Sequence, residues 1–286
     1  MLIIAVITGA LSLITGCNNH EMPAKSTTTE TTHSQQELQT LVTNAMLTTG
    51  QASSYKTEFV FDSNFTMSDS NSSKTQMRST LTGKIECDNS SDKSHITVIM
   101  SMYPSLGEES SHNTTAEIYI ISDTVYLKRD DSQWKQSSYS QISDLFYTNA
   151  VEHLFDLLKL IKDFKFQGYE TINGHDFYIL ESTPNPDSLS KWLDKYKPKP
   201  PYPVTTGPNG PNYTTTQKPL SEIFNDFTCT LYIQKTTMLI KDIAVKFAIK
   251  DNISQTTENL DVSMTIKIYD YNQPIEINLP KEISNT

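Results

Sequence analysis

The stretch Ser54-Tyr55-Lys56-Thr57-Glu58-Phe59-Val60-Phe61-Asp62 decides the fold, because polar side chains alternate in it with aromatic ones. A period of two is typical of a β-strand that has one buried face and one face exposed to solvent. The same period recurs in later stretches: 96–102, 118–120, 125–127, 243–249 and 262–268. The sequence therefore predicts a meander of antiparallel strands with one wetted face.

Two helices are predicted beside these strands. Ser34 and Glu37 have the spacing of a capping box, an apolar helical face follows them, and Gly50 is expected to end this helix. A second helix is predicted from about Ser143 to Lys162, and its apolar positions cover more than one stripe near its end. Such a helix must be buried nearly all round. It is either a core helix beneath a sheet or one wall of an apolar cavity.

Turn signals divide the second half of the chain. Asn173-Gly174 predicts a type I′ hairpin. Pro186 is expected to start a short helix, and residues 197–219 are rich in Pro, Gly and Thr. Because strand patterns continue after this segment, it is predicted to be a long insertion loop outside the core and not a domain linker.

The N-terminus carries an apolar run, Met1 to Ile14, which has no charged side chain and is followed by Thr15-Gly16-Cys17. The run is shorter than the 20 or so residues of a bilayer span. Its end resembles the lipobox of bacterial lipoproteins, in which the cysteine becomes the acylated first residue. The expected organisation is a signal peptide at 1–16, a flexible Ser/Thr-rich tether at 17–35 and one domain at 36–286. The alternative is a cysteine that follows an ordinary signal peptide or a buried helix.

Composition limits the class of partner. The formal net charge is −10, which argues against nucleic acid and against adsorption on anionic lipid. Membrane attachment would therefore depend on acyl chains at Cys17. Without Cys17, two cysteines remain, Cys87 and Cys229. They form either a disulfide, as an oxidising compartment allows, or two buried free thiols.

Catalytic and metal-binding patterns are absent from the sequence. It has no nucleophile elbow, no zinc-protease motif and no phosphate-binding glycine loop, and its six histidines lack metal-ligand spacing. No enzyme activity, cofactor or metal is therefore expected. Trp134 either lines a sugar site or packs at the end of a strand.

The order of elements resembles the LolA/LolB-like periplasmic lipoprotein-carrier superfamily, in particular its glycolipid-binding LppX/LprG-type branch. The resemblance covers about residues 36–283. It is carried by the lipobox, by Ser54-Tyr55, by 169–175 with its hairpin, by 231–235 and by the closing stretch 269–280. It implies an α+β fold in which a strongly curved antiparallel half-barrel has helices on its concave face. An apolar cavity for acyl chains would lie between them.

The leading hypothesis is a membrane-anchored extracytoplasmic lipoprotein that binds a lipid, glycolipid or lipoprotein by its acyl chains. The expected lining residues are apolar positions of the second helix and of the strands: Leu154, Leu157, Leu158, Ile161, Phe59, Val98, Val245 and Phe247. The alternative is a lipid-anchored interaction or sensor domain with a self-filled core, which would bind an envelope partner protein. A hydrolase without a recognisable motif is the third hypothesis.

Overall fold

The computed structural model describes residues 33–68, 74–103, 112–138, 150–185, 224–253 and 256–283. Two helices lie in these ranges, α1 (Gln35–Gly50) and α2 (Ala150–Leu160). The strands are β1 (Ser54–Ser68), β2 (Lys74–Asp88), β3 (Lys93–Tyr103), β4 (His112–Ile121), β5 (Thr124–Arg129), β6 (Lys135–Ser138), β7 (Phe164–Ile172), β8 (His175–Ser182), β9 (Phe224–Gln234), β10 (Ile240–Ile253) and β11 (Thr256–Tyr269).

All described strands belong to one antiparallel sheet of 11 strands, in the order β6-β5-β4-β3-β2-β1-β11-β10-β9-β8-β7. The predicted meander is therefore confirmed. The first and last strands of the chain, β1 and β11, are neighbours at the centre of the sheet. The sheet is open, because β6 and β7 form its two edges and do not pair with each other.

The start of α1 follows the predicted capping box. The Glu37 backbone N–H donates to Ser34 Oγ at 3.3 Å, and the Ser34 backbone N–H donates to a Glu37 carboxylate oxygen at 2.7 Å. These hydrogen bonds satisfy donors that a bare helix end leaves unpaired. Gly50 is the last helical residue, as predicted. The next residue, Gln51, has right-handed helical dihedrals, so this helix ends without a left-handed glycine cap.

The second predicted helix is confirmed over Ala150–Leu160. Its observed end is two residues before the predicted Lys162, and residues 143–149 lie outside the described ranges. The Asn173-Gly174 hairpin is also confirmed: both residues have positive φ, 51° and 79°, as a type I′ turn requires. The short helix predicted from Pro186 and the insertion at 197–219 lie outside the described residues.

Candidate functional site

Both helices pack against the same face of the sheet, which we call the helix face. The cross-strand register identifies it: Phe59 lies opposite Ile266, Ile266 opposite Ile243, and Ile243 opposite Leu231. These residues share one buried hydrophobic cluster with α1 and α2, whose members include Leu38, Val42, Ala45, Met46, Phe155, Leu157 and Leu158. The opposite side of the sheet carries mainly polar residues, and we call it the polar face.

Seven of the eight predicted lining residues lie in or against the hydrophobic cluster of the helix face. Five are buried in the hydrophobic cluster: Leu157, Leu158, Ile161, Phe59 and Val245. Two are partly buried and pack against that cluster: Val98 and Phe247. The eighth, Leu154, belongs to α2, but its side chain is outside the described part of the structure. Their role in ligand binding stays a prediction.

The space around the end of α2 is filled by the chain itself. Leu158 and Phe164 have no exposed surface, and Ile161 is 1% exposed. A side chain without accessible surface has no water-sized void beside it. At this place the helix face therefore forms a packed core, and an acyl chain could enter only if side chains moved.

Hydrogen bonds hold α1 to the sheet at both of its ends. Near its start, the Gln35 side-chain amide donates to the Phe164 carbonyl at 2.8 Å. Near its end, the Ile240 backbone N–H donates to Thr49 Oγ at 3.0 Å, and the Tyr271 hydroxyl donates to the Ile240 carbonyl. Burial raises the pKa of Tyr271. These bonds use polar groups that burial would otherwise leave unpaired, so they fix the position of α1.

A methionine patch extends the helix face towards β2 and β3. Its members lie on the same side of their strands as Phe59, and all are partly exposed: Met67, Met77, Met100, Met102 and Met264. Methionine has three rotatable bonds and a polarizable thioether, so such a surface adapts to flexible apolar groups. The period of two assigns Met67 to the face of Phe59 from sequence alone. Met67 is nevertheless absent from the expected lining residues.

Two serines form a hydrogen-bonded pair inside the methionine patch. Ser63 on β1 and Ser79 on β2 are directly opposite each other, and their Oγ atoms are 2.6 Å apart. They are 3% and 7% exposed. Thr57, further along β1 on the same face, is 2% exposed, and its hydroxyl has no partner within the described residues. On the helix face, Thr57, Ser63 and Ser79 are the buried polar residues of the described parts of β1 and β2, and most of their neighbours are apolar.

The polar face carries a groove that is lined mainly by polar residues. This groove, of about 500 Å³, crosses β1, β11, β10 and β9. It is lined by Asp62, Asn64, Asp226, Thr228, Lys246, Ala248, Asp261 and Ser263, together with Phe247 and Val262, which the register places on the helix face. Arg78 pairs with Asp62 at 3.2 Å, at one side of this groove. Among the described residues, no group of His, Cys, Asp or Glu side chains could hold a metal ion.

Trp134 packs against an aromatic row on the polar face. Its ring lies 5.6 Å from that of Tyr119, and the Lys128 ammonium lies 5.8 Å from the indole centroid. The Tyr119 ring stacks on His95 at 4.3 Å, and His95 Nε2 lies 3.1 Å from a Glu117 carboxylate oxygen. These contacts favour the packing alternative for Trp134 over a sugar site.

The two described cysteines are free thiols. Cys229 is fully buried on β9, and this burial raises the pKa of its thiol to about 12. Cys87 Sγ is 3.1 Å from Ser94 Oγ. The sequence allowed either a disulfide or two buried free thiols. The structure contains two free thiols, of which Cys229 is buried and Cys87 is only partly buried. A buried thiol with a raised pKa is a poor nucleophile, because the thiolate is the reactive form.

No helix within the described ranges is long and apolar enough to cross a membrane.

Solved structures similar to this chain include the lipoprotein LppX of Mycobacterium tuberculosis, which is 12% identical over 86% of this chain and 100% of that chain, with a TM-score of 0.41. LprF from Mycobacterium bovis is 12% identical over 86% of this chain and 97% of that chain, with a TM-score of 0.43. A LolA-superfamily protein from Nitrosomonas europaea is 12% identical over 86% of this chain and 96% of that chain, with a TM-score of 0.21. These structures include a member of the superfamily that the sequence resembles.

No curated protein matches the chain. One family model does, and its description is "Family of unknown function (DUF6612)". The match covers residues 37–286. This range begins inside α1 and includes every described strand. The chain therefore belongs to the DUF6612 family.

Proposed function

We propose that this protein is a lipid-anchored extracytoplasmic lipoprotein that binds an acylated lipid or lipoprotein between its sheet and its helices. It carries or presents this ligand across the envelope, and it is a binding module and not an enzyme. In this proposal the open sheet curves as a half-barrel, with the helices on its concave side. The acyl chain lies on the partly exposed methionine patch, and it reaches the buried predicted lining residues only where side chains move aside.

The extent of the helix face is the observation that carries the proposal. Eleven strands spaced by about 4.8 Å span about 48 Å across the sheet, and α1 contacts mainly β7 and β10, which lie in one half of it. Beyond α1, the face continues as the partly exposed methionine patch together with Val98 and Phe247. Each CH₂ group that a ligand buries there contributes about 0.8 kcal/mol.

The start of the described chain limits how far the domain could lie from an anchor at Cys17. The His33 ring packs edge-on against Phe166 on the edge strand β7, with their centroids 4.7 Å apart. The tether therefore joins the domain at the β7 edge. Residues 18–32 separate this point from Cys17, and 15 extended residues reach at most about 54 Å. Acyl chains on Cys17 would thus hold the domain close to the membrane.

Native mass spectrometry of the protein purified from its own membrane tests the ligand. We expect an acylated lipid to remain bound. Met100→Glu places a charge in the methionine patch and should abolish this binding. Ile99→Glu is the matched control, because Ile99 is the neighbouring residue on the polar face and is 47% exposed. A protein that carries no lipid, or equal loss of lipid in both variants, would contradict the proposal.

Cys17→Ser tests the anchor separately. The variant should leave the membrane fraction or remain unprocessed, and it should take up no lipid label. A variant that stays membrane-bound and lipid-labelled like the wild type would show that Cys17 is not the acylated residue.

A second candidate function is an interaction or sensor domain with a self-filled core. The complete burial of Leu158 and Phe164 favours it, because the chain's own side chains fill the space beside them. In that case the protein purified from its membrane carries no lipid, and the partner binds on the polar face. Ile99→Glu should then weaken binding of the partner and Met100→Glu should not, because only Ile99 lies on the polar face.

A further inference from the structure

We infer that the Ser63–Ser79 pair donates a hydrogen bond to the ester carbonyl of the bound acyl chain, so that the site selects neutral acyl esters. This inference rests on the proposed function. It assigns a specific polar contact to the methionine patch.

The pair has one more donor than it uses. Each serine hydroxyl donates one hydrogen bond and accepts up to two. The 2.6 Å contact between the two Oγ atoms consumes one proton, and either serine can supply it. The proton of the other hydroxyl has no acceptor within the described residues. A buried donor without an acceptor is costly, and a ligand oxygen would remove that cost.

The surroundings of the pair exclude a charged ligand group. Its described neighbours on the helix face are apolar: Phe61, Phe65, Met77, Leu81, Met102 and Val262. The nearest charged side chains along the same strands, Asp62 and Arg78, lie on the polar face and pair with each other. A carboxylate or phosphate would therefore lose its hydration without gaining a counter-charge. A neutral carbonyl oxygen needs only a hydrogen-bond donor, which the pair supplies.

The methionines give a ligand access to the pair. The two serines are nearly buried, so a carbonyl oxygen reaches them only when neighbouring side chains turn aside. Met102 is directly opposite Ser79, and Met77 is two residues along β2 on the same face. Their flexible side chains can rearrange at lower cost than branched or aromatic ones.

Two matched ligands test the inference: 1-palmitoylglycerol, an ester, and 1-hexadecylglycerol, an ether of the same chain length without the carbonyl. Their dissociation constants are measured by isothermal titration with the folded domain in detergent-free buffer below the micelle concentration. We expect the wild type to bind the ester about two- to tenfold more tightly, as one neutral hydrogen bond implies. Equal affinities for the two ligands would overturn the inference and leave the proposed function intact. Binding of neither ligand would overturn both.

The variant Ser63→Ala/Ser79→Ala should bind both ligands with equal affinity, because it lacks both hydroxyls. Both serines must change, because either one alone still has a proton to donate. Ser101→Ala is the control, because Ser101 adjoins Met102 on β3 but lies on the polar face. This variant should prefer the ester over the ether as strongly as the wild type does. An ester preference that survives in the double variant would overturn the inference.

Discussion

The ring of Phe59 lies against Gly83, its direct opposite in the register of β1 and β2. A Cβ atom at Gly83 would be 3.0 Å from Phe59 Cζ and 2.1 Å from the Thr97 carbonyl oxygen. Glycine weakens a strand interior, so its presence in a central strand needs a reason. Here the reason is the close approach of a core aromatic ring and of the neighbouring backbone.

Gly83→Ala should therefore destabilise the protein. The Thr97 backbone cannot give way as a flexible side chain can, and overpacking of this kind costs about 1–3 kcal/mol. The free energy of unfolding in urea measures the effect. The control is Gly50→Ala, because a Cβ there meets only Phe155, at an ordinary 3.8 Å, and alanine favours a helix by about 0.5–1 kcal/mol. Similar changes in both variants would contradict this account.

Leu158→Ala should lower the free energy of unfolding by about 2–5 kcal/mol, because it opens a cavity where the side chain is fully buried. Lys159→Ala, one residue further along α2, is the control. The Lys159 side chain is 62% exposed and pairs with Asp156 at 2.9 Å, so its loss should change stability by less than about 1 kcal/mol. A tolerated Leu158→Ala would mean that this side of α2 does not belong to the core.

Local signals in the sequence predicted local structure well. The Ser34–Glu37 pair identified the start of α1, and Asn173-Gly174 identified the hairpin between β7 and β8. Both depend on hydrogen bonds or dihedrals within a few residues, which are visible in the sequence. Alternation around Phe59 likewise predicted a strand with one buried face. It also grouped Phe59 with Phe61, because a period of two fixes the side of every residue in one strand.

Relations between strands could not be predicted in this way. The sequence does not show that β1 pairs with β11, the last strand, because the partners Phe59 and Ile266 are 207 positions apart. The Ser63–Ser79 pair depends on the β1–β2 register, which a one-residue slip would destroy. The methionine patch requires several such registers at once. The candidate site was therefore predictable as a set of apolar residues, but its polar contact was not.

Thr57→Val should preserve or raise stability. The Thr57 hydroxyl is buried without a partner among the described residues, and such a group costs roughly 1–3 kcal/mol. Valine has nearly the same shape and removes the unpaired hydroxyl. Thermal unfolding should show an equal or higher midpoint. The control is Thr82→Val on the polar face of β2, which should leave the midpoint almost unchanged. A lower midpoint for Thr57→Val alone would show that the hydroxyl has a partner.

Asp242→Asn should stabilise the protein at neutral pH. Burial raises the pKa of Asp242 above its ordinary value of 3.8; the charges of Lys267 and Lys241 oppose this shift, and that of Glu170 adds to it. At pH values between 3.8 and the raised pKa of Asp242, the folded state binds more protons than the unfolded state. The stability that Asp242 contributes is therefore fully present below pH 3.8 and is lost as pH rises through the folded pKa.

Asparagine does not titrate, so the variant lacks this loss. The difference in unfolding free energy between Asp242→Asn and the wild type should grow as pH rises from 3.8 through the raised pKa of Asp242 and then stay constant up to pH 7. Lys267→Met provides the second measurement. It removes the cation opposite Asp242, so it should raise the pKa of Asp242 further and move the loss of stability to higher pH. If urea unfolding between pH 3 and pH 7 gives parallel curves for the wild type and Asp242→Asn, then burial does not perturb this carboxyl group.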